Sequence, residues 1–322
     1  GNLLSNPKAG LVFTDFATGD VLQITGDAEV ITESPEIAAF QGAERLWRVF
    51  PRKAVWRASA VPIRWKAQED GISPNSILTG DWESAEKKLS AITSARAWRP
   101  FRIAQITQEN HLIKSFHLEP ADNDGLLSFQ AGQHLPIRVS VPGHDNPLIR
   151  TYTLSSAPSD GRYRISVKRE GVVSGHLHDS LQVGDVLEAR APAGDFFITP
   201  NPKHPMVLMA GGIGITPMIS MMRHVVFEGL RTRHFRPVWL FYAARSLVDR
   251  AFDEEIIELT KAAQGNIRII RVLGDTNGAT PRKDYEASGF IDVNLLRAVL
   301  PFDDYDFYLC GPSPFMQGIY DG

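Results

Sequence analysis

The chain has 322 residues, 43% hydrophobic and 22% charged, with a formal net charge of −3 and one cysteine, Cys310. That balance gives no broad attraction to nucleic acid or anionic lipid, no apolar run approaches the roughly 20 residues that cross a bilayer, and the residues given are not expected to include a signal peptide. One thiol excludes a disulfide framework within the chain and a cluster held by about four cysteines, and it fits a reducing, cytoplasmic setting.

Residues 1–66 read as β-rich. In "AGLVFTDFATGDVLQITGDAEVI", two β-favouring runs flank a hairpin signal at Ala17, Thr18, Gly19 and Asp20. "SPEIAAF" reads as a helix start with Pro35 near its first position, and "AVWRASAVPIRW" (54–65) as a further strand. Residues 67–95 lose this pattern. "QEDGISPNSILTGDW" is rich in turn formers and reads as a linker, followed by a short polar helix at "ESAEKKLSAI".

From about residue 99 six strand candidates follow at turn-punctuated spacing: "PFRIAQITQE", "IKSFHLEPA", "HLPIRVSV", "RTYTLSS", "RYRISVKRE" and "DVLEARAP". They predict an antiparallel β-barrel, interrupted by one helix at "VSGHLHDSL". From Pro205 the grammar changes to alternating strands and helices, "MVLMA", "MISMMRHVVFEG", "PVWLFYAAR", "DEEIIELTKAA", "IRIIRVL", "DVNLLRAVL" and "DFYLCGP". That alternation predicts an α/β domain with a doubly wound parallel sheet. The expected division is 1–75, a linker at 76–96, the barrel at 97–203 and the α/β domain at 204–322. The chain opens at Gly1 without a methionine and stops at Gly322 soon after a helix start, so a fragment of a longer protein is expected.

Ligands of open α/β sheets bind beyond the carboxyl ends of the strands. The first such end carries "GGIGITP" (211–217), where glycines admit a ligand to the backbone and a helix N-terminus follows, with Thr216 expected as N-cap and Pro217 as the first helical residue. The loop is not G-x-G-x-x-G, and such a turn is structural about as often as functional. Cys310, followed by Gly311 and Pro312, ends another strand and is expected in the same crevice; by position alone it reads as a small buried hydrophobe. In the barrel, Gly171, Val172, Val173 and Ser174 open a helix and could hold a phosphate or be an ordinary cap. Arg150 could clamp a diphosphate and Tyr152 could stack on a flat ring. The nine histidines show no metal spacing, and His176 and His178, two apart, do not share a helix face.

Residues 99–322 resemble the ferredoxin–NADP reductase superfamily, and most of all the reductase half of flavohaemoglobins. The resemblance runs in order through "FQAGQHLPIRV", "RTYTLSS", "YRISVKRE", "GVVSGHLHD", "VGDVLEARAPAGDFF", "MVLMAGGIGITPMISM", "FYAAR" and "YLCGPSPFM". It implies FAD and NADH or NADPH as cofactors. Arg150 would meet the FAD diphosphate, Tyr152 the isoalloxazine face and Thr153 the hydride-accepting N5; Ser155 completes the R-x-Y-[ST]-x-S pattern. Val167 and Lys168 would meet the flavin's polar edge, and Gly171, Val173 and Ser174 the diphosphate. Gly211, Gly212, Gly214 and Thr216 would line the nicotinamide nucleotide site, with Cys310, Gly311 and Pro312 beside the nicotinamide. The resemblance places Thr153 and Cys310 nearest the chemistry and implies no metal. It also implies an aromatic over the outer flavin face beyond "QGIYDG", for which Tyr320 looks misplaced.

"NPKAGLVFTDFATGDVLQITGDAEV" resembles the second half of a pyridoxamine 5′-phosphate oxidase-like split barrel, a type that often binds FMN. Arg48 and Trp56 are FMN candidates, each equally readable as surface or core. Proteins fusing such a barrel to this reductase carry a C-terminal 2Fe-2S ferredoxin domain, so the implied acceptor is such a domain in cis or in trans, with a homodimer through the split barrel left open. The leading reading is an NAD(P)H-dependent FAD oxidoreductase. The reductase part of a nitric oxide dioxygenase, a ferric-siderophore reductase and a non-catalytic flavin-binding protein are the alternatives. Arg245 and Ser246 suit a 2′-phosphate and Asp249 suits free ribose hydroxyls; the motifs lean to NADH.

Overall fold

The computed structural model describes residues 2–66, 71–199 and 203–322. The chain divides into two compact units, Gly1–Ser90 and Ala91–Gly322.

In the first unit, helix α1 (Asn2–Ser5) precedes strands β1 (Lys8–Thr14) and β2 (Val21–Ile31), helix α2 (Pro35–Ala39), strand β3 (Leu46–Arg57) and helix α3 (Pro74–Thr79), and helix α4 (Trp82–Thr93) runs across the division at Ser90. The strands form an antiparallel sheet in the order β1-β2-β3. Its first turn is shaped by the Asp15 carboxylate, which accepts the N–H groups of Ala17 and Thr18. The strand expected over residues 54–65 instead runs from Leu46 to Arg57. Pro51 lies within it, where the register with β2 shifts between Thr25 and Gly26. There a missing N–H leaves the ladder intact. After Arg57 isolated bonds from Val61 N–H to Gly19 and from Trp65 N–H to Phe16 replace the ladder. The expected linker begins on residues 67–70, which lie outside the described residues. Its remainder holds α3, capped by the Ser73 hydroxyl with Pro74 in the first turn.

The second unit begins with strands β4 (Arg99–Gln108), β5 (Ile113–Pro120), β6 (His134–Val139), β7 (Leu148–Thr153) and β8 (Tyr163–Lys168), helix α5 (Val172–Asp179) and strand β9 (Val186–Ala189). The sheet order is β7-β6-β9-β4-β5-β8, antiparallel throughout. A bridge between Leu154 and Ile165, with a 2.7 Å bond from Ser155 N–H to the Arg164 carbonyl, brings the two end strands together and closes the barrel. Strand β6 alternates half-buried and buried residues, sending Leu135, Ile137 and Val139 into a core with Phe116, Leu118 and Ile165. Burying each such side chain stabilises by about 1.5–3 kcal/mol.

The remaining elements are β10 (Met206–Gly211), α6 (Ile215–Thr232), β11 (Val238–Ala244), α7 (Asp253–Ala262), β12 (Ile267–Leu273), β13 (Ala287–Ser288), α8 (Val293–Val299), β14 (Asp306–Cys310) and α9 (Ser313–Tyr320). The parallel sheet has the order β13-β12-β11-β10-β14. Every residue of β10 is buried, as expected for a strand covered on both faces. Leu208 and Ala210 pack with Met218, Met222 and Ile256 on one side, and Val207 and Met209 with Leu296, Phe315 and Ile319 on the other.

Barrel and sheet meet through charge as well as apolar contact. Arg164 of β8 donates to both carboxylate oxygens of Glu255 on α7, at 2.7 and 3.0 Å, and Arg223 of α6 bridges Glu255 to Asp160. Burial pushes the Glu255 carboxyl up, but the two guanidinium groups outweigh this and hold it below the usual range.

Candidate functional site

One cleft lies at the rim of the barrel, where the ends of β7 and β8 meet the start of α5. It encloses about 270 Å³ and is lined by Arg150, Tyr152, Lys168, Gly171, Val173 and Ser174, together with Glu170 and Val172. Six residues singled out in three separate stretches of sequence therefore share one cavity. Arg150 is exposed; its guanidinium donates to the Ile149 carbonyl at 2.7 Å and has no carboxylate partner among the described residues. Tyr152 is half-buried against the barrel core, and burial pushes its phenol up, so it stays neutral. The Thr153 hydroxyl is half-buried, and no hydrogen bond to it is present among the described residues.

At the turn into α5 the Ser174 hydroxyl accepts the N–H groups of Glu170 and Gly171 and donates to the Gly171 carbonyl. Its bonding capacity is thus spent on shaping the helix entry. The first-turn N–H groups of Val172 and Val173 have no intrahelical acceptor. A methyl group at Gly171 would meet nothing within 4 Å, so the space beside that turn is open. The cradle therefore combines an unpaired guanidinium, a half-buried ring and a helix N-terminus, a donor set that suits a diphosphate joined to a flat ring.

The other expected barrel residues have different settings. Ser155 is fully buried; its hydroxyl bonds the Arg164 carbonyl and the Ser166 hydroxyl and accepts Arg164 Nε. Lys168 pairs with Glu170. Val167 is buried, and its carbonyl accepts from Nε2 of His178 at 2.8 Å. Burial depresses the His178 pKa, which keeps the ring neutral with Nε2 protonated toward that carbonyl. Sequence reading treated His178 as ordinary, and its spacing four residues after Ser174 was the available clue.

The second site lies at the topological switch of the parallel sheet, where β10 has β11 on one side and β14 on the other. Cys310 pairs with Ala210 at the carboxyl ends of these strands. Gly214 packs so tightly there that a Cβ would overlap the Cys310 carbonyl and lie 2.8 Å from Gly311 N. Gly212 adopts φ 55°, a left-handed conformation that glycine takes without strain. Helix α6 starts at Ile215 with Gly214 as its cap, two residues earlier than expected. Thr216 lies inside the first turn, where its hydroxyl donates to the Ile213 carbonyl at 3.0 Å. The strand passes into the helix through a 3₁₀ turn at Gly212–Gly214, which removes the need for a side-chain cap. Burial raises the Cys310 pKa, so its thiol stays protonated. Pro312 caps α9 and, with Phe315, packs on Gly211.

In the first unit Arg48 and Trp56 both lie on β3, Arg48 3.8 Å from Glu29 and Trp56 61% exposed. Among the described residues no group of three or more His, Cys, Asp and Glu side chains could hold a metal, and no helix is long and apolar enough to cross a membrane.

Residues 100–198 match the oxidoreductase FAD-binding domain family, and residues 208–321 the oxidoreductase NAD-binding domain family. The chain is 37% identical over 248 residues to a flavohemoprotein of Halalkalibacterium halodurans, covering 73% of this chain and 59% of that protein. It thus spans less than two-thirds of the curated relative. Among solved structures it is similar to the flavohem-like FAD/NAD-binding domain of nitric oxide dioxygenase from Vibrio cholerae. That likeness has 34% identity and a TM-score of 0.61, over 69% of this chain and 91% of the other. Phthalate dioxygenase reductase, described as a modular structure for electron transfer from pyridine nucleotides to [2Fe-2S], is 29% identical with a TM-score of 0.53, over 70% and 64% of the two chains. An antiparallel barrel with an open cleft at its rim, a parallel sheet with a glycine-lined switch point and these matches agree: the chain belongs to the flavohemoprotein-type FAD- and NAD-binding oxidoreductases.

Proposed function

We propose that residues 97–322 take a hydride from NADH, or less well from NADPH, and deliver the electrons to an iron–sulfur acceptor. The observation that carries this is the convergence of Arg150, Tyr152, Lys168, Gly171, Val173 and Ser174 on one cleft. FAD, when bound, supplies a ring that takes up a hydride and returns electrons. The chain's own groups bind and orient. Arg150 and the N–H groups at the start of α5 hold the diphosphate, with Ser174 ordering that turn. Tyr152 covers one ring face, and Thr153 offers its hydroxyl at N5. Val167, fixed by His178, and Lys168 meet the polar edge, while Ser155 braces the strand from within. Gly211, Gly212, Gly214 and Thr216 admit the nucleotide, and Cys310, Gly311 and Pro312 flank the nicotinamide while excluding water.

The lean to NADH draws on Asp249, whose carboxylate accepts the Ser246 hydroxyl at 2.6 Å and so occupies the group a 2′-phosphate would need. The iron–sulfur acceptor draws on the likeness to phthalate dioxygenase reductase. A flavohemoprotein-like acceptor is the second reading, favoured by the 37% identity to such a protein. Residues 1–66 are read as part of a split barrel able to hold FMN near Arg48 and Trp56. A homodimer through this sheet is supported by Phe13, Leu22 and Trp56, which lie in register across its three strands with Phe13 54% exposed. The setting is cytoplasmic.

The test is anaerobic addition of NADH or NADPH to protein reconstituted with FAD. Flavin bleaching, faster with NADH, is expected, and absence of flavin binding would sink the reading. Arg150→Ala should weaken FAD binding by about 10–100-fold, the loss of a charge-assisted bond, while leaving the melting temperature of the apoprotein unchanged. Full flavin affinity in that variant would place the diphosphate elsewhere.

A further inference from the structure

We propose that the turn between β4 and β5 is a positioning device for the nucleotide site, and that Asn110 is the residue through which it acts. The proposal rests on reading the sheet crevice as the nucleotide site.

Asn110 uses both ends of its side-chain amide. Oδ1 accepts the N–H groups of Leu112 and Ile113, each at 2.9 Å, which builds the turn inside the barrel. Nδ2 crosses to the α/β domain and donates to the carbonyls of Asp249 at 2.8 Å and Arg250 at 3.3 Å. Two acceptor sites and two N–H groups are the whole capacity of this amide. The neighbouring His111 places Nδ1 3.2 Å from the Val248 carbonyl, a geometry that calls for a proton on Nδ1, and Nε2 3.7 Å from Asp249 Oδ1.

The segment held in this way, residues 246–250, follows β11 at its carboxyl end. In an open α/β sheet that end borders the ligand crevice. The segment has little to fix it from within. Its backbone closes on itself through two long bonds, Asp249 N–H to Ser246 at 3.2 Å and Arg250 N–H to Leu247 at 3.3 Å. The Ser246 hydroxyl and the Asp249 carboxylate, bonded to each other, are carried on it. The barrel that cradles one cofactor therefore holds, by the Asn110 amide with the His111 ring beside it, the loop that borders the other. A loop held in one conformation before the nucleotide arrives spares binding the cost of ordering it, which lowers KM and leaves the chemical step alone. A direct tie from the barrel supplies that order where the loop's own bonds are few and long.

The experiment uses the FAD-loaded protein and the variants Asn110→Ala and Asn110→Asp. In Asn110→Ala the KM for NADH should rise about tenfold while kcat changes by less than about twofold, with unchanged flavin per chain. Amide hydrogen exchange should quicken in residues 247–251 and stay unchanged in β8. Asn110→Asp keeps the acceptor for Leu112 and Ile113 but turns an oxygen on two carbonyls. It should raise KM at least as much with the turn intact, and it keeps the test open if the alanine variant fails to fold. Unchanged KM and unchanged exchange at 247–251 in both variants overturn the proposal. So does a loss of flavin and of global stability in Asn110→Asp, which would make Asn110 a residue of the barrel fold alone. Failure of the wild-type holoprotein to react with either nucleotide defeats the functional reading instead, and the exchange measurement still decides whether Asn110 holds the loop.

Discussion

A methyl group at Gly214 would overlap the Cys310 carbonyl, so the approach of α6 to β14 depends on that hydrogen. The neighbour is backbone in a parallel strand and has no rotamer to yield. Gly214→Ala should cost about 1–3 kcal/mol by overpacking and raise the KM for nucleotide, both read from urea denaturation and steady-state kinetics of the same preparation. Wild-type stability in that variant would show that the helix can back away. His117 answers to charge in a similar way. It is half-buried with its Nδ1 unpartnered among the described residues. Burial, then Arg164, Arg162 and Arg223, push its pKa down to about 4, with Glu255 opposing. The unfolded chain takes up this proton near 6.5 and the folded protein near 4. The contribution is therefore complete above about 6.5 and lost progressively as the pH falls toward 4. His117→Gln should flatten the fall in melting temperature across that window; an equally steep fall would assign the acid sensitivity to other groups. Arg150 and Tyr152, which line one cleft, stand out in the sequence because a strand has no need of a cation beside an aromatic and hydroxyls. Ser155 read as a cofactor ligand by the same pattern, yet it lies fully buried under Arg164. A motif gives spacing along the chain and not the side chains that fold back over it.

At the scale of elements, β8, α6 and α7 are joined through Glu255, whose side chain is 17% exposed, and Arg164, 8% exposed. Removing one partner of such a buried pair leaves an uncompensated charge and costs about 3–5 kcal/mol. Glu255→Gln should destabilise the protein by about that much at pH 7. The carboxyl is held below its ordinary value of 4.5, so its contribution is present above that pH and disappears as the pH falls through the folded-state pKa. The gap between wild type and variant, followed by urea denaturation from pH 7 downward, should close in acid; a gap that persists at pH 3 would make the effect one of shape. No sequence pattern announces this pair, whose members are 91 residues apart. Elements with strong periodicity were legible: β6 through alternation, β10 through a continuous apolar run. The misjudged ones had a local rule overridden by a neighbour. Pro51 entered a strand at a bulge, α3 formed inside a run of turn residues because Ser73 and Pro74 start it, and the two residues of β13 form a strand only against β12.

For the whole molecule, the residues proposed to hold FAD and the nucleotide all fall between Arg150 and Pro312, and so within the second compact unit. The two matched families begin at residue 100 and end at residue 321, also inside it. The first unit has its own small core of Ala39, Phe40 and Ala85, with Ala43, Leu46 and Leu89 packed on it. Cores that share no residues permit separate cooperative folding. A protein comprising residues 91–322 should therefore fold, bind FAD with unchanged stoichiometry and accept a hydride from NADH at a rate within about twofold of the full chain. Stopped-flow bleaching of the oxidised flavin's absorbance gives that rate directly. Loss of flavin from the shortened protein would mean that residues 1–90 complete the flavin site, and the division of labour proposed for the two units would fall.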